Sequence, residues 1–101
     1  MKKLNVVISS KAQSDISECV SFVLNVSKEA AINLANQIFD SIKSLELFPE
    51  RNPTFNMPKQ IPFTVRKHIV NARYIILYSC DNDIIIIYRV LDARRDFNSL
   101  I

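Results

Sequence analysis

Residues 63–97 read FTVRKHIVNARYIILYSCDNDIIIIYRVLDARRDF, and this stretch decides the fold. It holds three apolar runs, Phe63 to Val70, Tyr74 to Cys80 and Ile84 to Leu91. β-Branched and aromatic residues dominate them, which favours strands over helices. Asn71-Ala72 separates the first two runs and Asp81-Asn82-Asp83 the last two. Asn and Asp tolerate positive φ and bond their own backbone, so both breaks read as tight turns. Gaps this short cannot hold a parallel crossover, so the three strands form an antiparallel meander. In the third run Ile84, Ile86, Tyr88 and Val90 alternate with Ile85, Ile87, Arg89 and Leu91. Both sets are nearly all apolar, which predicts a central strand covered on both faces. Asp92, Arg94, Arg95 and Asp96 follow where that strand surfaces, either as a solvated strand end or as a charged site.

Upstream, Leu4 to Ser9 reads as a short first strand, and Ser10 opens a helix with Gln13 three residues on, the spacing of a capping box. Ala12, Ile16, Cys19, Val20, Val23 and Leu24 make one apolar stripe, with Asp15 and Glu18 off it. Ser27 is placed to cap a second helix, with Glu29 in its first turn and Ala31, Leu34, Ala35, Ile38, Ile42 and Leu45 along one face; Pro49 closes it. About three residues join the two, so they form an antiparallel hairpin, and the sheet is the apolar surface available to bury its stripes. All four prolines fall in residues 49–62, one long connection that Phe55, Met57 and Ile61 pin to the body. The expected fold is α+β, in the order β-α-α-β-β-β, with residues 1–101 forming one domain and a tail that turns helical from Ala93.

Composition excludes several classes. The chain has no glycine, so no Gly-rich phosphate loop is available. Cys19, Cys80 and the single histidine have no close spacing, which predicts free thiols and neither a metal site nor a cofactor. The apolar run after Met1-Lys2-Lys3 is too short for a signal-peptide core, and no run is long enough to span a bilayer; a cytoplasmic location is expected. Residues 1–58 carry six basic and six acidic residues, whereas 59–95 carry seven basic and three acidic. The positive field therefore belongs to the meander and suits an anionic partner, nucleic acid or an acidic protein segment.

His68 is either a general base or a plain strand residue sharing a face with Arg66 and Val70. Tyr74, Tyr78 and Tyr88 either stack on bases or pack in the core. Arg89 lies within a strand that otherwise looks buried, and pairs with an acid such as Asp92 or Asp96 or reaches the strand's surfacing end. Arg66, Lys67, Arg73, Arg94 and Arg95 form one basic patch if the strand register brings them together.

The element order, the run Tyr74-Ile-Ile-Leu-Tyr78, the run from Ile84 to Arg89-Val90-Leu91, Arg94-Arg95-Asp96, and Leu47-Phe48-Pro49-Glu50 resemble the RelE/ParE superfamily of type II toxin–antitoxin toxins, and most closely its ParE-like branch. The resemblance runs from Val6 to Leu100. It implies a growth inhibitor neutralised by a cognate antitoxin with an acidic segment. The ParE-like branch implies poisoning of DNA gyrase through protein contact, with Arg66, Lys67, Arg73, Arg89, Arg94, Arg95, Asp96 and Phe97 as target- or antitoxin-binding residues. The RelE-like branch implies mRNA cleavage on the ribosome, with Arg66, His68, Arg73 and Arg94 in the catalytic set. A degenerate member that binds antitoxin without toxicity is the third implication. The chain departs from the RelE pattern at Ile75, where an arginine is common, and at Leu100, near a C-terminal tyrosine. It departs from the ParE pattern at Asp92, where a histidine is usual.

Overall fold

A computed structural model of the chain describes residues 4–55 and 64–94. The element order is β1 (Asn5–Ile8), α1 (Ser10–Leu24), α2 (Lys28–Ser44), β2 (Arg66–Val70), β3 (Tyr74–Asp81) and β4 (Ile84–Asp92). The strands form one sheet in the order β1-β4-β3-β2, antiparallel from β4 to β2, with β1 parallel to β4 on the far side. The helical hairpin supplies the long connection that a parallel β1 needs. The expected α+β order and the meander are both present. Met57, Ile61 and the predicted start of the first meander strand at Phe63 lie outside the described residues, as does the tail beyond Arg94.

The hairpin packs on one face of the sheet. Ala12, Ile16 and Cys19 from α1, Leu34, Ile38 and Ile42 from α2, and Leu45 meet Val70, Tyr74, Ile76, Tyr78, Ile85, Ile87 and Val90. Each fully buried large side chain here contributes on the order of 1.5–3 kcal/mol. Leu24, which the stripe placed inside, is about half exposed, because α1 ends there and turns away. On the opposite face Val65, Ile75, Leu77 and Leu91 form a smaller cluster with Phe55 and Ala93 against it, so β4 is covered on both sides as its sequence requires.

Three local features differ from the sequence reading. The cap of α1 is Ser9, not Ser10: Ser9 is extended and its hydroxyl accepts the Ala12 N–H at 3.0 Å, while Gln13 Nε2 reaches back to the Ile8 carbonyl. Helix α2 ends at Ser44, ahead of Pro49, in a turn through residues 45–47; its cap at Ser27 is as expected. The strict alternation in β4 fails, because Leu77 pairs with Arg89 but Tyr78 pairs with Ile87, leaving Tyr88 as an extra residue. A bulge of one residue flips the faces beyond it. Ile85 and Ile87 therefore share the helix-side core with Val90, and Leu91 goes to the other face.

Both turns use positive φ, at Asn71 and Ala72 in one and at Asn82 and Asp83 in the other. Ala72, at φ 55, is the residue least suited to that region. Ala72→Gly is expected to stabilise the chain by about 0.5–1 kcal/mol, the relief of left-handed strain less the added unfolded-state entropy. A thermal melt should then show a rise of about 4 °C.

Candidate functional site

Among the described residues, four of the candidate residues fall into two groups, Arg66 with His68 and Arg73 with Arg94. Arg66 opens β2, and Arg73 lies past its far end in the turn before β3; Arg66 to Val70 alone spans about 13 Å of strand. Lys67 points to the opposite face from Arg66 and His68, its ammonium 6.0 Å from the centre of the Phe55 ring.

The first group is built around Asn52, in the connection between α2 and β2. Asn52 Nδ2 lies 3.0 Å from His68 Nδ1 and 3.0 Å from the Tyr78 hydroxyl, which in turn lies 2.7 Å from the Pro49 carbonyl. Arg66 Nη1 donates to the Asn52 carbonyl at 2.6 Å. Arg51 donates to the Ser44 hydroxyl at 2.7 Å. Burial, and then the Arg51 charge, push the His68 pKa below its ordinary value. Burial is also the main cause that raises the Tyr78 phenol, opposed by its hydrogen bond with Asn52 and by the Arg66 and Arg51 charges. Residues 53–55 continue along the outer edge of β2: Phe55 N–H donates to Val65, Lys67 N–H donates to Pro53, and Thr54 bridges Arg66. An edge that would otherwise invite strand addition is partly paired.

The second group surrounds Asp92, which is 1 % exposed. Arg73 grips it with Nε at 3.2 Å from both carboxylate oxygens and Nη2 at 2.8 Å from Oδ2, and the Arg94 N–H donates to Oδ1 at 2.9 Å. This bidentate bond is the main cause that raises the Arg73 pKa. The Arg73 guanidinium also lies 5.3 Å from the centre of the Tyr74 ring. Next to it, Val23, Ala30 and Leu34 from the hairpin and Tyr74 floor an open groove rimmed by Asn33, Gln37, Asn71 and Arg73. Asn71 Nδ2 donates to Gln37 Oε1 across that rim.

Arg89 pairs with an acid, one of the two alternatives the sequence left open, and that acid is Asp15 on α1. Its Nε donates to Asp15 on α1 at 2.7 Å and its Nη2 at 3.2 Å, and the same carboxylate accepts the Val90 N–H at 3.0 Å. Strand β1 ends at Ile8, opposite Ile87, so beyond that point the open edge of β4 needs an acceptor, and Asp15 supplies it. The bulge at Tyr88 sets Arg89 opposite Leu77, next to the point where β1 has ended and the edge of β4 is open to Asp15. Arg89 is thus engaged in holding α1 to the sheet. Arg95, Asp96 and Phe97 lie outside the described residues.

The four residues of the nuclease set, Arg66, His68, Arg73 and Arg94, are therefore split two and two. Asn52 and Asp15 escaped the sequence reading. Asn52 sits in a proline-rich segment with no periodicity; Asp15 gave one signal, an acid off the apolar stripe early in α1. Of the tyrosines, Tyr74 and Tyr78 are core residues, while Tyr88 exchanges a hydrogen bond with Ser79 at 3.0 Å. Neither cysteine is in a disulfide, and burial, then the nearby Glu50, Asp83 and Asp81 carboxylates, raise the Cys80 thiol, away from a reactive thiolate. Among the described residues no cluster of His, Cys, Asp and Glu could hold a metal, and no helix is long and apolar enough to cross a membrane.

Comparison with known proteins follows the fold. No curated protein sequence matches the chain. Among solved structures the chain is similar to one described as "Chromosomal ParDE TA system from P. aeruginosa", with a TM-score of 0.70, 17% identity, and coverage of 89% of this chain and 96% of that one; at such identity the likeness shows the fold. The family described as the ParE toxin of type II toxin-antitoxin system, parDE, matches residues 6–97. The family match covers nearly the whole chain, from within β1 to beyond β4, and the chain belongs to the ParE toxin family.

Proposed function

We propose that this chain is a growth-inhibiting toxin that poisons DNA gyrase by protein–protein contact and is neutralised by an acidic segment of a cognate antitoxin, both partners meeting it in the cytoplasm. The observation that carries the reading is the separation of the two cationic groups. Arg73 is committed to the buried Asp92, while Arg66 at the far end of β2 and His68 at its middle are tied to Asn52, so the arrangement favours a binding surface over one reaction centre. Arg94, with Arg95, Asp96 and Phe97 after it, is the proposed target contact, and the excess of basic residues over 59–95 suits an acidic antitoxin segment.

One observation favours a second reading, ribosome-dependent mRNA cleavage. His68, Tyr78 and Arg66 are assembled through Asn52, which puts an acid–base group beside a guanidinium. The deciding experiment adds the purified chain to a gyrase supercoiling and DNA-cleavage assay. Loss of supercoiling with trapped, cleaved DNA is expected. Gyrase left untouched at micromolar toxin would retire the first reading, and mRNA cut on translating ribosomes by the same preparation would put the second in its place.

A further inference from the structure

The hydrogen-bond network at Tyr78 determines the protonation state of His68. The Pro49 carbonyl can only accept, so Tyr78, 2.7 Å away, donates its hydroxyl proton there. The phenol oxygen then has only lone pairs to offer Asn52, which accordingly presents its amide NH2 at 3.0 Å. That same NH2 lies 3.0 Å from His68 Nδ1. An N–H there needs a lone pair opposite it, so Nδ1 is unprotonated and the neutral ring carries its proton on Nε2. Protonating Nδ1 would set N–H against N–H and break the contact.

The contact holds more than one side chain. Asn52 belongs to the segment 49–55, which lies along the outer edge of β2 through the Phe55 N–H to Val65 at 2.7 Å, the Lys67 N–H to Pro53 at 3.1 Å and the Arg66 bond to the Asn52 carbonyl. We infer that His68 is a proton-operated latch: neutral, it accepts from Asn52 and keeps this segment on the edge of β2; protonated, it releases Asn52 and opens that edge.

The surroundings set the direction of the switch. The segment itself brings Arg51, whose charge opposes protonation of the ring, and Glu50, whose charge falls on Cys80. Strand β2 contributes Arg66 and β3 contributes Tyr78, while α2 turns the apolar Ile38 and Ile42 toward the sheet. Burial comes first and Arg51 second among the causes that keep the ring from charging, so the closed latch binds a proton less readily than an open one. The latch is fully closed above the ordinary histidine value of 6.5 and weakens as pH falls through that value toward the lowered one. His68 is the only histidine in the chain, so a transition between pH 5 and 6.5 belongs to it.

Amide hydrogen exchange on the full chain tests this. Protection of the Phe55 and Lys67 N–H groups, corrected for intrinsic rates, should fall between pH 7 and pH 5 by on the order of tenfold, and by no more than about 25-fold, the ceiling set by an open-state value of 6.5. Protection in β3 and β4 should hold. His68→Asn places a non-titrating acceptor near the position of Nδ1 and should keep Phe55 and Lys67 protected at both pH values. Equal protection at pH 7 and pH 5 in the native chain would overturn the inference, and so would the same acid-induced loss in His68→Asn. Neither outcome depends on which target the toxin engages.

Discussion

Asp15→Ala is expected to cost about 3 kcal/mol of folding stability. One carboxylate, 11 % exposed, serves the Arg89 guanidinium and the Val90 backbone N–H together. Removing it leaves a part-buried N–H of β4 without this acceptor, worth about 1–3 kcal/mol, and takes a charged partner from Arg89. Arg89 is 22 % exposed, so it can turn toward water and its share of the loss is the smaller one. Asp15→Asn keeps an acceptor for Val90 and should cost only about 1 kcal/mol. Urea denaturation followed by circular dichroism separates the two variants. An alanine variant within 1 kcal/mol of the native chain would mean that α1 is held to the sheet by its apolar stripe alone.

Arg73→Ala is expected to cost about 2–3 kcal/mol, because it takes the guanidinium from an Asp92 carboxylate that is 1 % exposed. The figure sits below that of a fully enclosed pair, since the Arg73 side chain is 30 % exposed and water shares its charge. Asp92→Asn removes the charge instead of exposing it and should cost about 1–2 kcal/mol, Arg73 being free to turn to solvent. The double variant should lose at least about 1 kcal/mol less than the sum of the two, because the neutral amide no longer needs a counter-charge. Strict additivity would show that the pair contributes nothing as a pair. The same double variant serves the functional question. Growth inhibition lost in Arg73→Ala but regained in Arg73→Ala/Asp92→Asn reports stability, whereas inhibition lost in both places Arg73 at the target.

Much of the fold can be read without coordinates. The runs from Tyr74 to Cys80 and from Ile84 to Leu91 are strands because their residues are β-branched and aromatic, and the Asn and Asp between them accept the positive φ that the turns adopt at Asn82 and Asp83. Ser27 caps α2 where a hydroxyl before an apolar periodicity should. The cap of α1 fell one residue away from its expected place because Ser9 and Ser10 are chemically alike, and only the extended backbone of Ser9 distinguishes them. Arg89 announced that it needed an acid, but its partner is 74 residues away, farther than any local pattern reaches.

The sequence alone determined which segments are helix or strand, where the chain reverses, and that the positive charge belongs to the meander, because periodicity, turn chemistry and composition are properties of neighbouring residues. The tertiary structure decided what those charges do. One extra residue at Tyr88 shifts the faces of β4, and the register of β2 on β3 places Arg66 at one end, His68 midway and Arg73 beside Asp92 past the other end. A donor finds its acceptor only after register is set, and register is fixed by burial summed over the whole sheet rather than by any one residue.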